Sequence, residues 1–206
     1  MANHYDHLDH STIIKLHRKT ERFITPLGVG AHLEGWGIEP ERITELDWWE
    51  RTSFKSLTLA AAPARHFSGR SLRRNTTLWS SFILTSERFN LYLGGDSGYD
   101  DHFKSIGDKY GPFDLALLEC GQYNTMWPLI HMMPEEAVQA AIDLQAQMMM
   151  PVHWGKFSLA LHPWKEPVER VLKAAQQHQV PLTTPRIGEP VLLSKSYPSD
   201  RWWERV

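Results

Sequence analysis

Apolar positions along this chain fall mostly in short runs bounded by glycine, proline or polar clusters, a pattern of buried strands rather than of long helices. Such runs occupy residues 22–28, 43–49, 55–62, 115–119 and 148–152. Residues 76–85 and 90–93, rich in aromatic and β-branched side chains, flank Ser86-Glu87-Arg88 and predict a hairpin, and a last short strand is expected over 190–193. Helical spacing interrupts this series. Ser11 suits an N-cap for a helix over 11–19 carrying Ile13, Ile14 and Leu16, and 31–35 predicts a single helical turn. Pro134-Glu135-Glu136 sets proline and acids at a helix start, and Ala137, Val138, Ala141, Ile142 and Leu144 follow on one face. Residues 166–178 predict a second amphipathic helix. Strands alternating with helices, some paired as hairpins, give a layered α/β domain. No repeat, low-complexity tract or linker divides the 206 residues, so one domain is expected.

Charge narrows the function classes. Lysine and arginine number 22 against 24 aspartate and glutamate, a net −2, which excludes a nucleic-acid reader driven by bulk positive charge. Hydrophobic residues at 42% are too many for a disordered chain. The single Cys120 forms no internal disulfide, and neither a signal-peptide pattern nor a long uncharged apolar run occurs, so a cytoplasmic protein is expected. The unusual counts are 11 histidines and 9 tryptophans, and the histidines carry the chemistry.

His4-Tyr5-Asp6-His7 places two imidazoles and a carboxylate in one tetrapeptide, the donor types that bind Zn²⁺. Taken alone it also reads as a solvated histidine-rich terminus. Three later residues follow predicted strands: His66 in Ala-Arg-His-Phe-Ser-Gly, Asp96 in Gly-Gly-Asp-Ser-Gly, and His153 in Pro-Val-His-Trp-Gly. Singly, each has an ordinary reading as a packing histidine or a turn aspartate. Together they would converge on the edge of one sheet, where α/β proteins place their sites.

In this order the blocks resemble the metallo-β-lactamase superfamily, whose signature is His-x-His-x-Asp-His followed by a His, an Asp and a final His after successive strands. The nearer likeness is to the branch containing N-acyl-phosphatidylethanolamine-hydrolysing phospholipase D. It is carried by His4–Asp9, Ala64–Arg70, Gly94–Tyr99, the block His131-Met132-Met133-Pro134-Glu135-Glu136-Ala137, and His153–Gly155. One position departs, because the signature's first histidine would fall at residue 2, which is Ala2. The resemblance implies a four-layer αββα sandwich of two similar halves, of which this chain carries mainly the C-terminal one. The expectation is a single domain over 1–206, N-terminally truncated, with Met1-Ala2 in place of native sequence and apolar sheet surface left exposed for self-association.

The resemblance also implies a ligand set. One cation site would use His4, His66 and the histidine missing at position 2. The other would use Asp6, His7 and His153, with Asp96 bridging the two. Zn²⁺ is the expected metal, two in the full-length enzyme, with iron or manganese as alternatives. Two cations held together share a hydroxide of lowered pKa that attacks phosphorus. Asp6 would orient it, and His131 would contact the substrate phosphate or donate a proton to the leaving oxygen. The expected activity is hydrolysis of a phosphodiester in a phospholipid-like substrate. Lactone or ester hydrolysis on the same fold, or an inactive remnant, are the alternatives. Expected partners are a small-molecule or lipid substrate, with peripheral membrane contact and a second copy of the chain as further candidates.

Other features read two ways. Asp9 is a helix-start acid or a hydrogen-bond partner for a ligand histidine. Arg65, Arg70, Arg73 and Arg74 form a basic cluster beside His66, suited to steering an anionic phosphodiester or merely a solvated loop. Tryptophans such as Trp36, Trp48, Trp49, Trp127, Trp154 and Trp164 pack a core or line an acyl groove. His10, His17, His32, His102, His162 and His178 match no motif and read as surface or packing residues.

Overall fold

The computed structural model describes residues 2–70, 74–156 and 159–206, so Met1 and Arg73 of the sequence reading lie outside the described residues. The helices are α1 (His10–Leu16), α2 (Gly30–Gly35), α3 (His102–Tyr110), α4 (Pro134–Asp143) and α5 (Glu166–His178). Strands β1 (Phe23–Pro26) and β2 (Ile43–Leu46) pair in parallel as a small sheet. Strands β3 (Arg51–Phe54), β4 (Leu57–Ala62), β5 (Ser81–Thr85), β6 (Asn90–Leu93), β7 (Leu115–Glu119) and β8 (Met149–Val152) form a six-stranded sheet in sequence order.

The two-residue period of a strand sorts this sheet's faces. Register aligns Ala60, Ile83, Tyr92, Ala116 and Met149 in one row across β4 to β8. That row is buried with Phe103 and Ile106 of α3, Val138 and Ala141 of α4, and Val171 of α5. The alternate residues Ala61, Phe82 and Leu93 face the small sheet, packing with Ile24 and Leu46. On the far side of the small sheet, Leu8, Val29 and Leu33 pack with Ile13, Phe23 and Ile43. The layers therefore run helix, sheet, sheet, helix, as the resemblance implied. The face toward the small sheet is partly open at β6 to β8, where Leu93, Leu117 and Val152 are half-buried around a cavity of about 290 Å³.

Strand direction positions the site. Strands β4 and β6 are both antiparallel to β5, and β6, β7 and β8 are parallel, so β4, β6, β7 and β8 all point the same way. Their C-terminal ends share one edge of the sheet, and the segments carrying His66, Asp96 and His153 leave from that edge.

Several local expectations are corrected. The cap of α1 is Asp9, whose carboxylate accepts from the Thr12 backbone N–H at 2.7 Å, so the helix opens before Ser11 and Asp9 is spent on it. Its last residues, His17–Lys19, tighten into a 3₁₀ turn. Strand β3 was not expected, since its residues alternate exposed and half-buried at the sheet edge. No strand forms over 190–193, where Leu192 makes only an isolated bridge to Ser196. Helix α3 was missed because only Phe103, Ile106 and Gly107 of its nine residues are buried, too sparse a stripe to register.

The first residue of α3 supplies an acid-stability prediction. The His102 ring lies 4.1 Å from the Phe103 ring, centroid to centroid, and its Nε2 lies 3.2 Å from the Ser97 Oγ. Burial pushes its pKa down to about 4, so the fold favours the neutral ring and the unfolded chain takes the proton first. Stability from this group is complete above pH 6.5 and is lost as pH falls from there through about 4. Urea unfolding of His102→Gln across that window is expected to show a shallower loss of stability than the wild type. An unchanged slope would refute the assignment.

Candidate metal centre

The segment ahead of α1 turns back on itself: the N–H groups of His7 and Leu8 both donate to the His4 carbonyl, at 3.1 and 2.9 Å. This turn presents His4, Asp6 and His7 together. Arg70 fastens it by donating to the Asn3 and Leu8 carbonyls on either side, with its guanidinium over the Tyr5 and Trp36 rings. Asn3 in turn accepts from the Gly69 N–H at 2.7 Å, and the Tyr5 hydroxyl donates to the Arg70 carbonyl at 2.6 Å. Arg70 is therefore committed to this turn and is not free for an anion.

His66 lies past the end of β4, in a segment braced by the Trp79 indole, which donates to the Ala64 carbonyl at 2.9 Å. Its Nδ1 donates to the Ile130 carbonyl at 3.0 Å, which leaves Nε2 as the lone-pair nitrogen. Asp96 follows Gly95, a turn residue at φ +67° that a side chain would strain. His153 itself sits at φ +62°, an unusual strain for a non-glycine residue and one that collects at functional sites. Its carbonyl passes so close to Gly121 that a Cβ there would come within 1.9 Å.

These residues converge. His4, His66 and Asp96 form one group of candidate ligand atoms, and Asp6, His7, Asp96 and His153 form another, each within 4.8 Å mutually. His4 Nδ1 lies 3.3 Å from His66 Nε2, and His66 Nε2 3.7 Å from Asp96 Oδ2. His7 Nε2 lies 2.6 Å from Asp96 Oδ2, and His153 Nε2 3.3 Å from Asp6 Oδ2. Asp96 belongs to both groups.

The electrostatics suit cations. Burial lowers the pKa of His4, and holds His66 at about 4, so both rings are neutral as ligands must be. Burial alone would raise Asp96, yet the His7 hydrogen bond and the His153 and His7 charges bring it well below the usual carboxylate range. The His153 hydrogen bond likewise lowers Asp6. Burial would lower His153, but Asp6, Asp96 and Glu119 raise it to about 9, so a cation bound there would displace a proton from this ring. His4 Nε2, Asp96 Oδ1 and His153 Nδ1 are buried and make no hydrogen bond. Orphaned nitrogen and carboxylate donors in a mixed His/Asp set fit divalent cations such as Zn²⁺.

A cavity of about 570 Å³ opens over both groups, lined also by His131, Phe67, Arg74, Tyr5 and Leu159. The arginine cluster divides. Arg65 pairs with Asp100 at 3.2 Å and Arg70 is committed, whereas Arg74 lines the cavity with its guanidinium over the Phe67 ring. The tryptophans largely pack one another: Trp154 contacts Trp164, Trp202 and Trp203, and Trp48 contacts Trp79. None lines this cavity. His10, His32 and His162 pack on Trp36, Trp36 and Tyr123.

Glu119, the last residue of β7, was missed. It is fully buried, and its Oε1 accepts from His131 Nδ1 at 2.8 Å. The signal was faint, an acid closing the apolar run Leu-Ala-Leu-Leu at the edge that carries Asp96 and His153. Burial would lower His131, but the Glu119 hydrogen bond and the charges of Glu119 and Asp96 raise it.

Residues 1–154 match the family described as Beta-lactamase superfamily domain. An uncharacterized protein of Mycobacterium tuberculosis is 49% identical over 205 residues, covering 98% of this chain and 55% of that protein. The mitochondrial N-acyl-phosphatidylethanolamine-hydrolyzing phospholipase D of Saccharomyces cerevisiae is 36% identical over 185 residues, 84% of this chain and 39% of that protein. The chain thus spans about half the length, or less, of these curated relatives. A metallo hydrolase structure from Ignicoccus hospitalis superposes with a TM-score of 0.72 at 22% identity, over 91% of this chain and 75% of that one, a likeness of fold. No helix among the described residues is long and apolar enough to cross a membrane.

Proposed function

The chain belongs to the β-lactamase superfamily, and on that footing we propose that it is a metal-dependent hydrolase that cleaves a phosphodiester in a phospholipid-like substrate. The observation that carries the reading is Asp96 shared by two groups of candidate ligands on one cavity. The identity to a yeast protein named for phospholipid hydrolysis supports the substrate class. His4, His66 and Asp96 would hold one cation, and Asp6, His7, Asp96 and His153 the other. Bound divalent cations would lower the pKa of water and neutralise charge building on the scissile group.

The chain's own residues supply the rest. Asp6, held ionised, accepts a hydrogen bond from the attacking water and orients it. His131, lining the cavity, donates a proton to the leaving oxygen. Phe67, Tyr5 and Leu159 offer apolar wall for an acyl chain, and Arg74 meets the phosphate.

One observation favours the second reading, lactone or ester hydrolysis. Arg74 is the sole lysine or arginine among the described residues lining the cavity, a modest charge for a phosphodiester. A panel of phosphodiesters and lactones with Arg74→Ala separates the two. A charged hydrogen bond is worth about 1.5–3 kcal/mol, so KM for a phosphodiester is expected to rise about 10- to 100-fold, with lactones unaffected. Turnover of lactones alone would replace the phosphodiester reading.

A further inference from the structure

Glu119 is a costly residue for a protein core. A fully buried carboxylate is tolerated only where donors satisfy it, and an apolar side chain of similar size would serve stability as well or better. Here the donors converge on one oxygen. Oε1 accepts from His131 Nδ1 at 2.8 Å, from the Met132 N–H at 3.3 Å and from the Ser97 N–H at 3.4 Å. The other oxygen, Oε2, is buried without a hydrogen bond and lies 4.0 Å from His153 Nδ1.

We infer that Glu119 is a positioning residue that fixes the His131 ring at the cavity wall. With Nδ1 occupied by the carboxylate, Nε2 is the nitrogen left to meet substrate, and the ring cannot flip without breaking the bond. The backbone keeps the pair in register: Glu119 closes β7, and the Met132 N–H beside His131 binds the same oxygen. What His131 then does rests on the proposed hydrolase function; how it is held does not. Because Glu119, His131 and His153 also form a group within 4.8 Å, the competing role for Glu119 is that of a metal ligand.

The test has two arms on the full chain. In the first, the wild type is expected to show a downfield imidazole N–H proton in its NMR spectrum, absent in His131→Asn and shifted upfield in Glu119→Gln. Absence of that signal, or indifference to Glu119→Gln, would overturn the inference. This arm needs no substrate, so it decides the positioning even where the hydrolase reading fails. In the second, Glu119→Gln is expected to lower kcat about 10- to 100-fold with KM and bound metal unchanged. In a His131→Asn background it is expected to add nothing further. Loss of metal in Glu119→Gln, or effects that multiply between the two variants, would overturn the inference.

Discussion

Asp96→Ala is expected to release metal from both ligand groups and to reduce hydrolysis by more than the roughly 100-fold that loss of an outer-sphere partner costs. Asp96 is the residue common to the His4–His66 group and the Asp6–His7–His153 group. Its carboxylate is buried against His7 at 2.6 Å, with His66 at 3.7 Å and His153 at 3.5 Å. Removing it leaves His4 and His66 with no carboxylate in their group, and His7 and His153 with Asp6 alone, at 3.5 and 3.3 Å. His4→Ala, by contrast, is expected to empty the His4–His66–Asp96 group and spare the other. Asp9→Ala serves as the control, because it removes the exposed cap of α1 and is expected to leave metal content alone. Metal analysis of the purified variants checks the order. Equal metal in Asp96→Ala and wild type would end the shared-ligand account.

The second large effect lies far from the ligands in sequence. Trp203→Ala is expected to cost about 3–5 kcal/mol, a fall of about 6–20 °C in melting temperature for a chain of this size. Trp203 is 1% exposed and packs edge-on against Trp154 at 5.4 Å and Trp202 at 5.8 Å, centroid to centroid. The segment before it is tied down by Thr183 and Thr184, which donate to the Pro198 carbonyl. Trp154 follows His153, so the docked tail braces the strained turn that carries that histidine. Trp203→Ala is therefore expected to loosen His153 as well, read as weaker metal binding at temperatures where the variant is still folded. A melting shift of a degree or less would mean that the tail carries none of the fold.

Those two variants mark where the sequence was transparent and where it was opaque. Strands β4, β7 and β8 were legible because they are apolar on both faces and read as continuous runs, and α4 and α5 because a first-turn proline and acids agree with the apolar stripe. Strand β3 and α3 were not, since an edge strand and a sparsely buried helix carry little apolar signal. At the site, His4, Asp6, His7, His66, Asp96 and His153 could be named because their residue types are informative and each later one follows a strand. The structure brings all six together, five of them lining one cavity and His7 held against Asp96. Glu119 stayed hidden for a physical reason: an acid at a strand end is indistinguishable in sequence from a solvated one, and only burial and the facing imidazole give it meaning. Arg70 failed the other way. It reads as surface charge, yet its partners are the backbone carbonyls of Asn3 and Leu8, which no side-chain pattern records.

Ala2 gives the account its sharpest edge. A methyl group offers no ligand atom where the resemblance places a histidine, so the proposed His4–His66–Asp96 site would hold a cation with one protein donor fewer than the resemblance implies. The other group keeps all four of its donors. The direct measurement is anomalous X-ray scattering from crystals grown with limiting Zn²⁺ and then with excess. The account predicts a first peak among Asp6, His7, Asp96 and His153, and a second, between His4, His66 and Asp96, that fills only in excess. A crystal with no peak between these side chains at either concentration would contradict it.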